Sequence, residues 1–176
     1  MDSAIIPTAA PLFNLIGFRV DQKLNLLYRA STDGWASSNF HNKCNGKANT
    51  LTIIKTVNGN VFGGFTAVPW SNSNLGWRND ERAFIFSLVN NQNRPTVFPV
   101  SSTVNAIYDN YSYGPTFGGG HDIHIVTNSY ANENSYSNLG HSYSNNLHAY
   151  GSAAAQSFLA GSYRFRVAEI EVFQLQ

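Results

Sequence analysis

The chain has little charge, one cysteine and no long apolar run. Among its 176 residues there are 11 Lys and Arg against 10 Asp and Glu, a net charge of +1 and a charged share of 12%, about half of what soluble domains carry. Such a chain has no basic footprint for nucleic acid or an anionic membrane, so neither is expected as a partner. No apolar stretch approaches the ~20 residues of a membrane span, which argues against membrane insertion. The N-terminus also lacks the basic and long apolar regions of a signal peptide. Cys44 is the sole cysteine, which rules out an internal disulfide. It is either a link between two chains in an oxidising compartment or a small buried apolar residue.

Neutral polar groups and aromatic rings fill the gap. The chain holds 22 asparagines, and aromatic residues make up 14% of it. That is too aromatic for a disordered segment. Amide- and hydroxyl-rich side chains suit an extracellular binding surface, so a secreted protein is expected. Its length fits one domain spanning 1–176, large enough to bury roughly 70% of the surface its unfolded form exposes.

Periodicity places the elements. Pro11 and Gly17 bracket a short helix, and residues 1–23 read as an N-terminal helical clasp on a sandwich of 24–176. Leu24 to Ala30 alternates as a first strand and Ser31-Thr32-Asp33-Gly34 turns. Ser37 or Ser38 would cap a short helix that runs through Phe40 and Cys44 to Asn45-Gly46. Leu51 to Val57 and Val61 to Ala67 flank Asn58-Gly59, a strong hairpin signal. Short strands follow at 83–89, 96–100 and 106–108. A long alternation over 162–175 shifts phase at Ala168-Glu169, as a bulge would. This spacing predicts a mainly β fold, a two-sheet antiparallel β-sandwich with a few short helices.

The densest polar chemistry lies between Phe117 and Gly140. Gly118-Gly119-Gly120 allows close approach of a ligand or a second backbone. His121-Asp122-Ile123-His124-Ile125 then alternates as a half-buried strand. Residues 128–157 carry little periodicity, the pattern of a functional loop. They hold an internal echo, Ser135-Tyr136-Ser137-Asn138 and Ser142-Tyr143-Ser144-Asn145. An N-glycosylation pattern stands at Asn110-Tyr111-Ser112.

Catalysis is not expected. No nucleophile elbow accompanies the histidines, and the glycine triplet lacks the lysine of a phosphate loop. His121 and His124, three apart on a strand, would face opposite sides and so could not share zinc. Oxygen donors are better represented. Asp122 and Glu133 are the only carboxylates between Asp109 and Glu169, and Asn128, Asn132, Asn134 and Asn138 stand near them. Such donors match what calcium takes, and equally match Asx turns in a solvated loop.

Leu27-Tyr28-Arg29-Ala30-Ser31, Thr50-Leu51-Thr52-Ile53-Ile54-Lys55, Val61-Phe62-Gly63-Gly64-Phe65, Ala83-Phe84-Ile85-Phe86-Ser87-Leu88, Phe117-Gly118-Gly119-Gly120 and Glu169-Ile170-Glu171-Val172-Phe173 occur in the order of the TLDc domain, which the chain resembles from about Leu24 to Leu175. The resemblance implies a β-sandwich without an established catalytic centre. Small single-domain relatives of marine-invertebrate type include calcium-dependent, galactose-binding lectins. On that likeness the expected protein is a non-enzymatic lectin with Ca2+ on Asp122, Glu133, Asn132 and Asn134. A galactose-containing glycan would be held by His121, Asn128, Tyr136, Asn138 and Trp77. Trp70, Tyr130 and Tyr143 are further stacking candidates, and a secreted homodimer, with Cys44 as the candidate link, would add avidity. The other reading the likeness offers is an intracellular interaction domain, tied to oxidative-stress protection and to the vacuolar proton pump.

Overall fold

A computed structural model describes residues 2–71, 73, 76–143 and 148–176. Two antiparallel six-stranded sheets form a sandwich. The first is built from β1 (Leu24–Arg29), β2 (Thr50–Thr56), β3 (Val61–Thr66), β5 (Phe84–Val89), β6 (Thr96–Pro99) and β12 (Val167–Leu175), in the order β1-β12-β2-β3-β5-β6. The second is built from β4 (Gly76–Arg78), β7 (Ile107–Asp109), β8 (Tyr113–Phe117), β9 (Ile123–Val126), β10 (Ser135–Ser137) and β11 (Arg164–Phe165), in the order β11-β10-β9-β8-β7-β4. Among the described residues four short α-helices accompany them: α1 (Ala10–Ile16), α2 (Ala30–Asp33), α3 (Ser37–Cys44) and α4 (Ala153–Phe158). No helix among the described residues is long and apolar enough to cross a membrane.

The hydrophobic alternation divides the core in two. Ile54, Phe62, Ile85, Phe117, Ile123 and Ile125 point between the sheets. Leu51, Ile53, Phe65, Phe86 and Phe173 point the other way, where Ile5, Ile6 and Leu12 cover them. The first sheet is therefore buried on both faces, which explains why β2 and β3 are almost wholly apolar or Thr/Gly. At Gly63 a side chain would collide with the carbonyl oxygen of Thr52 on the neighbouring strand, so glycine is required there. The expected hairpin at Asn58-Gly59 is present, with Gly59 at φ +88°. The bulge lies between Val167 and Glu169, where the sequence phase shifts.

Three local expectations change. Ser37 is the first residue of α3 and Ala36 precedes it. The Asn39 side chain reaches back to accept the Ala36 N–H at 3.0 Å, and the Ser37 N–H goes to Thr127 Oγ1 at 3.1 Å, so neither serine caps the helix. Residues 30–33 make a single helical turn. The segment 128–157 contains β10 and α4, two elements too short to show a period. Ser144 and Asn145, which end the second copy of the echo, lie outside the described residues.

The N-terminal clasp is fastened by a buried carboxylate. Glu171, fully buried on β12, accepts from Ser3 Oγ at 2.5 Å, Ala4 N at 2.8 Å and Arg29 Nε at 2.8 Å. Removing it leaves the partly buried Arg29 guanidinium and two further donors without their acceptor. Glu171→Ala should cost ~3 kcal/mol or more, read as a lower urea midpoint, with the N-terminal segment becoming protease-sensitive before the sandwich unfolds.

Candidate functional site

Register decides what the second sheet shows to solvent. Phe117, Ile123, Ile125 and Phe165 enter the core, so the residues between or beside them face outward. Trp77 pairs with Tyr108, Thr116 and Tyr136 both pair with His124, and Tyr136 pairs with Arg164. The rings form one continuous surface from β4 to β11. Trp77 and Tyr108 lie 4.3 Å apart by centroid, Tyr108 and Tyr113 6.0 Å, Tyr113 and His124 4.5 Å. His124 and Tyr136 follow at 4.9 Å, then Tyr136 and Tyr163 at 5.5 Å. Trp77 is 41% exposed and Tyr163 39%, whereas His124 is 5% exposed and forms the floor. A cleft of about 320 Å³ beside Ser38, His41, Asn42 and Tyr111 and an apolar one of about 360 Å³ under the clasp use none of these rings.

His121 does not behave as a strand residue. It sits at φ +54° in the turn before β9, and its ring stacks on that of His124 at 4.8 Å and 12°. The premise that the two histidines face opposite sides is thus incorrect, because the alternation starts only at Ile123. His121 Nδ1 meets the Tyr136 hydroxyl at 2.7 Å. The Thr116 hydroxyl donates to the Gly114 carbonyl at 3.1 Å and lies 3.3 Å from His124 Nδ1. With its proton committed, Thr116 accepts from His124 Nδ1–H, which fixes that tautomer. Burial lowers the His121 pKa. Burial, helped by the charge of His121, pushes His124 down to about 3. Both imidazoles are neutral at physiological pH.

Asp122 lies beneath this surface and is fully buried. One carboxylate oxygen accepts from Gly140 N at 2.7 Å and His141 N at 3.1 Å, the other from Ser142 N at 3.0 Å. Burial pushes its carboxyl up to about 6, while these backbone N–H groups pull it down. The first glycine of the triplet serves this carboxylate. Gly118, at φ +86°, stands where any side chain would run into Asp122, and the Gly119 N–H donates to Ser142 Oγ at 2.8 Å. The close approach foreseen at the triplet is thus made by the chain itself.

The expected site residues separate into three places. Trp77, His121 and Tyr136 share the aromatic surface. Asn138 is beside Asp122, its N–H 3.3 Å from the Asp122 carbonyl oxygen, and its buried Oδ1 has no partner among the described residues. Asn128, Asn132, Glu133 and Asn134 lie at the other end of the β9–β10 hairpin. There Asn132 Nδ2 donates to Asn128 O at 3.0 Å, and its Oδ1 accepts from Asn134 N at 2.9 Å, an Asx turn. Strand rise separates Glu133 from Asp122 by on the order of 15 Å, whereas calcium ligands sit about 2.3–2.6 Å from their ion. Asp122 and Glu133 do not fit one calcium shell. Among the described residues no group of three His, Cys, Asp or Glu is placed to hold a metal.

Of the other aromatic candidates two are structural and one, Tyr130, stays 51% exposed. Trp70 and Tyr143 are buried core residues, and Tyr130 packs on Trp35 at 5.0 Å. Cys44 is fully buried and its thiol pKa is pushed far up by burial, so it cannot reach a second chain without local unfolding. Tyr108, Tyr113, His124 and Tyr163 were not foreseen as part of a site. Tyr108, Tyr113 and His124 lie on strands of only three to five residues and Tyr163 just before β11, and the one available sign was an aromatic alternating with core residues, as in Ile107-Tyr108-Asp109.

A sequence profile of the TLDc domain matches residues 7–176. The chain belongs to the TLDc family. The match begins at residue 7 and so takes in residues 7–23 of the N-terminal clasp. No curated protein matches the sequence.

Two outcomes follow for this TLDc domain. Asp122→Asn places an amide N–H against backbone donors and should lose about 2–3 kcal/mol of stability equally in calcium and in chelator, by urea titration. His124 takes up its proton near pH 6.5 when unfolded and near 3 when folded. Its contribution is complete above pH 6.5 and lost as pH falls toward 3, at up to ~1.4 kcal/mol per unit. Asp122, with its raised pKa, acts in the opposite sense between 3.8 and about 6. His124→Gln should therefore lose less stability than the parent between pH 6.5 and 5.

Proposed function

We propose that the protein is a non-enzymatic TLDc binding domain that meets a protein partner through the outer face of its second sheet. The observation that carries this reading is the aromatic surface running across that sheet, with Trp77 41% exposed at one end and Tyr163 39% exposed at the other. Aromatic rings standing in solvent with polar tips are the usual anchors of protein interfaces. The TLDc resemblance points the same way, toward an interaction domain of the kind that binds the vacuolar proton pump and takes part in protection against oxidative stress.

Galactose recognition is the second reading, favoured by the tilted Trp77–Tyr108 pair at 4.3 Å, on which the apolar face of a pyranose could stack. It would bring secretion and a homodimer with it. It would have to work without a calcium shell made from Asp122 and Glu133 together.

Purified proton pump and immobilised galactose, each with calcium and with chelator, separate the two readings. The interaction reading expects pump binding indifferent to chelator, weakened at least about tenfold by Trp77→Ala with an unchanged urea midpoint. Retention on galactose, lost in Trp77→Ala, would transfer the face to the sugar. Full pump binding by Trp77→Ala would remove this face from the interaction.

A further inference from the structure

The centre of the aromatic surface is held by a residue in an uncommon backbone state. His121 sits at φ +54°, a left-handed conformation that Gly or Asn enters more readily. It brings the ring within 5.5 Å of Trp77, 5.4 Å of Tyr108, 6.3 Å of Tyr113, 4.8 Å of His124 and 5.9 Å of Tyr136 by centroid. An apolar ring would fill that place as well. What histidine adds is its two nitrogens.

Those nitrogens have different tasks. His121 Nδ1 meets the Tyr136 hydroxyl at 2.7 Å. A phenol is a stronger acid than a neutral imidazole N–H, and an imidazole nitrogen is the better base, so Tyr136 O–H donates and Nδ1 accepts. The proton of the neutral ring then sits on Nε2. In His124 the assignment is reversed: Nδ1–H donates to the Thr116 hydroxyl at 3.3 Å, which leaves Nε2 as a bare acceptor. Neither Nε2 bonds to a described residue, and neither is sealed from solvent in the way that His148 Nε2 is. Both therefore open on the outer face.

The two imidazoles are stacked at 4.8 Å and 12°, so a free donor and a free acceptor stand on neighbouring rings within a frame of Trp77, Tyr108, Tyr113 and Tyr136. A partner that covers the frame must satisfy both, because an unpaired polar group buried at an interface is costly. A carboxylate brings no donor and an ammonium no acceptor, whereas an amide brings one C=O and one N–H. We infer that His121 and His124 are the specificity-determining pair of this face: His121 Nε2–H donates to the C=O, and His124 Nε2 accepts from the N–H, of an amide of the partner. This rests on the interaction reading above and names the group that the face recognises.

Nitrogen NMR of the isotope-labelled full chain near neutral pH reads the tautomers without any partner. His121 is expected as the Nε2–H form and His124 as the Nδ1–H form; the same form on both rings would overturn the inference. Binding to purified proton pump is the second arm. His121→Phe and His124→Phe each keep a ring and remove its nitrogens, and each should weaken binding about tenfold. Tyr136→Phe lets the His121 proton return to Nδ1 part of the time and should weaken it about threefold. Urea midpoints verify folding, and His121→Phe alone decides should His124→Phe not fold. Full binding by His121→Phe, with binding lost in Trp77→Ala, would overturn the pair and leave the interaction reading standing. A parent chain that does not bind the pump would overturn both.

Discussion

Burial of the first sheet on both faces is the constraint on which the rest of the molecule depends. A sheet with Ile54, Phe62 and Ile85 on one side and Leu51, Ile53, Phe65 and Phe86 on the other has no face to give to water. One side is closed by the second sheet. The other is closed by the N-terminal clasp, whose hold comes from the buried Glu171 bonded to Ser3, Ala4 and Arg29. That arrangement leaves the outer side of the second sheet as the surface on which function can be built, since it faces neither core.

Two polar devices shape that surface without entering it. Asp122 gathers the backbone of residues 140–142 onto the glycine turn, which ties part of the long 128–157 segment to the sheet. The left-handed backbone at His121 turns its ring back over His124 and against the Tyr136 hydroxyl. The carboxylate with the strongest appearance of a ligand is therefore an internal clamp. A buried acid already accepting three N–H bonds has little left to offer a cation or a sugar.

Much of the sandwich was legible. The strands of the first sheet are long, and their alternation and the Asn58-Gly59 turn can be read directly, as can the bulge after Val167. The second sheet was only partly legible, because β4, β10 and β11 span three, three and two residues. Such lengths show no period. For the candidate site, Trp77, His121 and Tyr136 were identified by type and do come together, whereas Glu133 and Asp122 were grouped by closeness in sequence and do not. Both flank the same hairpin, which carries them to opposite ends.

Composition and periodicity by themselves determined a weakly charged, mainly β chain, and the order of its motifs carried the resemblance to the TLDc domain. Those properties are set by local patterns, which a strand must satisfy whatever it packs against. The tertiary structure alone decided that Asp122 is a clamp, that Cys44 is sealed in the core, and that rings from distant segments of the chain form one surface. Each of these depends on which strands become neighbours. Pairing between segments as far apart as Trp77 and Tyr108 is fixed by burial of the whole core, and no short stretch of sequence contains it.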